Sequence, residues 1–105
     1  MQQPVRKYIL SETKQRGLIR VVNLQTDKTL LLKSEDIAKD IIDIRFKLDL
    51  ECFPCAELQD AYTAIGLELF SIEPYRIADV QDDLVKLLAA EEDKLSQNGV
   101  TLYRS

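Results

Sequence analysis

The stretch Gly17-Leu18-Ile19-Arg20-Val21-Val22-Asn23-Leu24-Gln25-Thr26-Asp27-Lys28-Thr29-Leu30-Leu31-Leu32 decides how the rest of the chain is read. Its two ends are rich in Leu, Ile and Val. Gln25, Thr26, Asp27 and Lys28 between them have turn-forming character, so the stretch predicts an antiparallel hairpin with strands over 18–24 and 29–32. The second strand is apolar at three successive positions, which predicts cover on both faces and a central place in a small sheet.

Upstream, residues 4–16 read as a short helix. Pro4 suits a first turn, and Val5, Tyr8 and Ile9 fall at i, i+3 and i+4, with Arg6, Lys7, Lys14 and Arg16 among the polar positions before Gly17 breaks the pattern. Downstream, Ser34 is a good N-cap, and Glu35 and Asp36 favour the positive end of the following helix dipole. Ile37, Ile41, Ile44 and Leu48, with Ile42 beside them, form one broad apolar stripe. Lys39, Asp40, Asp43 and Lys47 are expected outward, with Arg45 at the edge of the stripe. After Pro54, the residues Leu58, Ala61, Tyr62 and Ile65 mark a second helix that Gly66 stops. Residues 67–75 read as a strand whose length Pro74 limits. Asp79 or Asp82 is expected to cap a last helix with the apolar face Val80, Leu84, Leu87, Leu88 and Leu95. Beyond the Asn98-Gly99 turn, residues 100–103 lie back as a short edge strand or tail.

Composition narrows the function classes. The chain has 105 residues, 46% hydrophobic and 30% charged, which suits one soluble globular domain. The absence of a long apolar run, and of an apolar block within 1–16, leads us to expect no membrane span, no secretory signal and a cytoplasmic location. Net charge is −4 but unevenly spread: ten Lys/Arg face six Asp/Glu over 1–47, and four face twelve over 48–105. A chain so divided can attract phosphate on one side and repel it on the other. No histidine is present, which removes imidazole bases, Ser-His and Cys-His dyads and His-containing zinc sites within one chain.

The order Gly17-Leu18-Ile19, Leu30-Leu31-Leu32, Arg45-Phe46-Lys47-Leu48, Glu57-Leu58-Gln59-Asp60-Ala61-Tyr62, Gly66 and Phe70-Ser71-Ile72-Glu73 resembles the GIY-YIG nuclease family, in its small bacterial single-domain branch with degenerate motifs. The resemblance covers 17–103 of a single domain spanning 1–105, with 1–16 as an N-terminal helix. It implies an α/β (α+β) fold, a small three-stranded antiparallel sheet flanked by helices. In active members a motif tyrosine acts on the attacking water, a helix arginine stabilises the transition state, and a glutamate holds a divalent cation. The resemblance maps the two motif tyrosines onto Ile19 and Leu30 and the second motif glycine onto Leu32, so only Gly17 matches directly. It places the arginine near Asp43. Arg45, two residues on and about 200° round the helix, remains a weak candidate. The glutamate falls at Leu88 or Ala89, while Glu91-Glu92-Asp93 and Asp82-Asp83 read as solvated surface.

Three readings follow. The first is a GIY-YIG-like domain that has lost nuclease activity and acts as a binding or regulatory module without a cofactor. Its partner is a protein, or nucleic acid held weakly by Arg16, Arg20, Lys33, Lys39, Arg45 and Lys47, and a homodimer is compatible with it. The second is an active endonuclease using magnesium or manganese. The third rests on Cys52-Phe53-Pro54-Cys55, whose spacing suits thiol redox chemistry or zinc. Two cysteines supply half of a structural zinc site, so zinc would require a dimer.

Overall fold

The computed structural model describes residues 14–103. The helix expected over 4–16 lies almost wholly outside the described residues, and Arg16 already belongs to the first strand. The elements are β1 (Arg16–Asn23), β2 (Thr29–Ser34), α1 (Ile37–Asp49), α2 (Ala56–Ile65), a 3-10 turn (Leu67–Leu69), β3 (Phe70–Ala78) and α3 (Leu84–Gln97). Both strand pairs are antiparallel and the sheet order is β2-β1-β3. This is the three-stranded antiparallel sheet with flanking helices that the sequence predicts.

The hairpin is held by a residue that hydropathy does not flag. Buried Asn23 ends β1, and its Oδ1 accepts from the backbone N–H groups of Gln25 (2.9 Å) and Thr26 (3.3 Å), while its Nδ2 donates to the Tyr103 hydroxyl at 3.1 Å. Such a side-chain turn closes a loop without glycine. Asp27 takes the left-handed conformation there, with φ of 65°, which aspartate tolerates better than most residues.

β1, not β2, is the central strand. Leu30 and Leu31 are nonetheless buried on both faces, because α1 and α2 lie over one side of the sheet and α3 over the other. The free edge of β2 is closed at its Thr29 end by the C-terminal segment. Thr29 donates its N–H to the Thr101 carbonyl at 3.0 Å and accepts from the Tyr103 N–H at 2.7 Å.

β3 begins later and ends later than its pattern suggests. Leu67–Leu69 form the 3-10 turn, and the strand then runs past Pro74 to Ala78. Proline is compatible with an edge strand at a bulge, and β3 offers both. Leu18 lies opposite Arg76 and Ile19 opposite Pro74, so Tyr75 is an extra residue between them. Gly17 faces this irregular stretch, and a Cβ there would lie 1.9 Å from the Arg76 carbonyl oxygen.

Helix ends differ by a residue or two from the pattern, since several acceptors compete at each. Asp36, not Ser34, caps α1, accepting from Lys39 N at 3.4 Å. Ser34 closes β2 instead, where its hydroxyl accepts from Asp36 N at 3.0 Å and donates to Asp40 at 2.5 Å. Asp83 caps α3, accepting from Val85 N and Lys86 N, whereas Asp82 accepts from Asp79 N. Val80 lies before the helix and is exposed. Within α1, Ile37, Ile44 and Leu48 face the core as expected, but Ile42 faces away. No helix of the described residues is long and apolar enough to cross a membrane.

Candidate functional site

Strand alternation decides what each face of the sheet carries. Ile19 and Leu32 sit directly opposite one another on β1 and β2, on the face covered by α1 and α2. They floor a groove of about 250 Å3 whose walls are Ile44 of α1 and Phe53 and Pro54 of the following loop. Lys33, Asp40, Asp43 and Lys47 form its rim. Asp43 is paired with Lys47 at 3.0 Å, and Asp40 accepts from Ser34. Leu30, at the other mapped tyrosine position, is buried in the core that also holds Tyr103.

The remaining mapped positions diverge. Gly17 lies where the backbone of β3 approaches most closely, so the omission of a side chain serves sheet packing. Asp43 reaches the groove and Arg45 does not. Arg45 is instead near enough to Tyr62 to oppose the upward shift of its phenol. That phenol donates to Asp49 at 2.5 Å and is pushed up to about 12 by burial and by the Asp49 carboxylate.

The Glu57-Leu58-Gln59 segment is structural. Leu58 is fully buried. Gln59 accepts from Phe53 N at 3.0 Å and donates to the Leu48 carbonyl at 3.0 Å and the Thr63 hydroxyl at 3.1 Å. It thereby satisfies an end carbonyl of α1 and fixes the loop that walls the groove. Glu57 pairs with Lys28 across the molecule.

The opposite face of the sheet carries an ionic network. Arg20 pairs with Glu73 at 2.5 Å and lies over the Tyr75 ring, 5.5 Å from its centroid. Its Nε is buried there without a hydrogen-bond partner. Ser71 donates to Glu73 at 2.5 Å, and this hydrogen bond, with that from Arg20, holds the Glu73 carboxyl below the usual range. Glu91 of α3 is only 4% exposed and accepts from Arg76 (2.5 Å), Tyr75 (3.3 Å) and Lys94 (3.4 Å). Burial works to raise its carboxyl, but the hydrogen bonds and charges of Arg76 and Lys94 outweigh it and the shift is downward. Burial, and then the Glu91 charge, push the Tyr75 phenol up.

The reading of Glu91 as solvated surface is therefore corrected. A signal for its burial exists in the sequence, because Leu84, Leu88, Glu91 and Leu95 follow i, i+4, i+7 and i+11, which puts Glu91 on the apolar stripe.

The six basic candidates do not share a surface. Arg20 belongs to the α3 face, whereas Lys33 and Lys47 rim the groove. Arg16 is tied to Glu35 at 3.0 Å and donates to the carbonyls of Asp79 and Asp82. Lys39 and Arg45 are exposed on α1. Cys52 is exposed and Cys55 is buried at the N-cap of α2, with no disulfide between them.

The donor set does not fit the divalent cation that the resemblance implies. Magnesium takes a near-octahedral shell of oxygens. Asp40 and Asp43 are the carboxylates of the groove rim, and each already has a partner. Among the described residues no group of three or more His, Cys, Asp or Glu converges to hold a metal.

No family model and no curated protein matches the chain. Among solved structures, a mutant of the catalytic domain of intron endonuclease I-TevI superposes with a TM-score of 0.71 at 15% identity, covering 86% of this chain and 92% of that one. The catalytic domain of homing endonuclease I-TevI superposes with a TM-score of 0.65 at 13% identity, covering 86% and 99%. The fold is thus GIY-YIG-like. Likeness at this identity is a likeness of fold.

Proposed function

We propose that this GIY-YIG-like domain does not cleave nucleic acid and acts in the cytoplasm as a binding or regulatory module for a protein partner. The observation that carries the proposal is the groove at the mapped motif positions, floored and walled by Ile19, Leu32, Ile44, Phe53 and Pro54. None of these side chains can activate water or anchor magnesium, and each such group contributes orders of magnitude in rate. The protein incubated with plasmid, single-stranded DNA and RNA in magnesium or manganese should leave all three intact. Cleavage that disappears in Arg45→Ala would overturn the proposal in favour of an active nuclease.

A protein partner is preferred to nucleic acid because Arg16, Arg20 and Lys47 are already engaged by carboxylates of the same chain. Any affinity of Lys33, Lys39 and Arg45 for phosphate should be weak, salt-sensitive and tolerant of sequence. Titration of short duplex and single-stranded oligonucleotides at low and moderate salt tests this, with Lys39, Arg45 and Lys47 changed together to alanine. Tight binding at moderate salt that is lost in the triple variant would replace the protein partner with nucleic acid.

A further inference from the structure

α1 has two apolar faces. Ile37, Ile44 and Leu48 point into the core. On the far side, roughly 120° to 180° round the helix from these, Ile42, Phe46 and the C-cap residue Leu50 follow at i, i+4 and i+8, and they are 71%, 61% and 59% exposed. A helix apolar on opposite faces is normally covered on both. We infer that this outer stripe is the contact between two copies of the chain, laid antiparallel about a two-fold axis through Phe46.

The spacing and the charges carry the choice of occupant. In an antiparallel pair centred on Phe46, each residue meets the one as far beyond the centre as it lies before it. Ile42 then meets Leu50 of the partner subunit, and Phe46 meets the partner's Phe46. The stripe is self-complementary in this register, as an isologous contact requires. Residues of opposite charge at i, i+4 spacing border it, Asp43 and Lys47, paired at 3.0 Å, on one flank and Arg45 and Asp49 on the other. About the same axis, Asp43 lies two residues, about 3 Å along the axis, from alignment with the partner's Lys47. Arg45 has the same offset from the partner's Asp49. Each flank of the contact thus holds two carboxylates and two cations, and no net charge opposes it although the chain as a whole is acidic. A single helix pair buries less than the roughly 1,600 Å2 of a standard interface, so the dimer is a weak one. The inference is independent of whether the groove binds or cleaves anything.

Sedimentation velocity of the full chain over about 1 µM to 1 mM, the span of affinities suited to so small a contact, should show a monomer passing to a dimer. Phe46→Glu sets two carboxylates against each other on the axis and should raise the dissociation constant about a hundredfold or more. Its thermal melt at low concentration should stay close to that of the parent, since the side chain is exposed. Register is tested separately in a Cys52→Ser background. Phe46→Cys should cross-link to itself under mild oxidation, Ile42→Cys should not, and Ile42→Cys combined with Leu50→Cys should. A chain that stays monomeric throughout overturns the inference, whether residues 1–13 or another protein cover the stripe instead. A dimer that survives Phe46→Glu, or Ile42→Cys cross-linking as readily as Phe46→Cys, overturns it too.

Discussion

The two faces of the small sheet are built on different physics. The α1 and α2 face is apolar from Ile19 to Leu58, and the groove cut into it is floored and walled by hydrocarbon. The α3 face carries Arg20, Glu73, Tyr75, Arg76 and Glu91 in one ionic network, around a carboxylate that is almost wholly buried. The chemistry-rich face fastens α3 and leaves an opening of about 390 Å3 beside Arg20 and Glu73, while the chemistry-poor face holds the groove of about 250 Å3 over Ile19 and Leu32. Partners distinguish the network: each of its carboxylates is matched by guanidinium, ammonium or hydroxyl, and carboxylates so matched stabilise a packing more readily than they react.

The largest expected effect lies on the apolar face. Ile19→Ala removes a fully buried side chain from the groove floor and should cost about 3 kcal/mol in urea denaturation. A loss under about 1 kcal/mol would mean that the groove collapses onto the gap and that this face is looser than its burial implies. Glu91→Ala should cost less, about 2 kcal/mol, because Arg76 and Lys94 are half-exposed and recover water when their acceptor goes. An equal or larger loss would make the network, not the core, the main fastening of the fold.

Acid should act on the two faces differently. Glu73 and Glu91 both titrate below the ordinary 4.5 in the folded chain. A carboxyl lowered on folding contributes fully above its unfolded value, and the contribution disappears as pH falls toward the folded one. Stability should therefore decline as pH drops below about 4.5, and less steeply in Glu91→Gln. Ile19→Ala should keep the parental slope. The smallest effect is expected at Tyr62→Phe, about 1 kcal/mol for the lost hydrogen bond to Asp49. Spectrophotometric titration should lose its component near 12 in this variant. Since the phenol is raised from 10.0, its contribution to stability is present below that value and falls as pH rises toward 12.

Much of this molecule is legible in the order of its residues. Two apolar runs around a polar loop specify the hairpin, and the stripe of Ile37, Ile44 and Leu48 specifies the first helix, because strand and helix periods are local properties of the backbone. Exposure is not local, and there the reading of single stretches stops. Leu30-Leu31-Leu32 announces cover on both faces but not an edge position, since one face is covered by α1 and α2 and the other by α3, more than fifty residues away in sequence. Pro74 forbids a central strand but not one at an edge beside a bulge, and only the pairing with β1 shows which applies. Ile42 and Glu91 exchange their expected surroundings for the same reason. The sequence determined which segments are helix and strand and which chemical groups exist, whereas tertiary structure alone decided which faces meet, because burial is set by contacts between segments that no local pattern records.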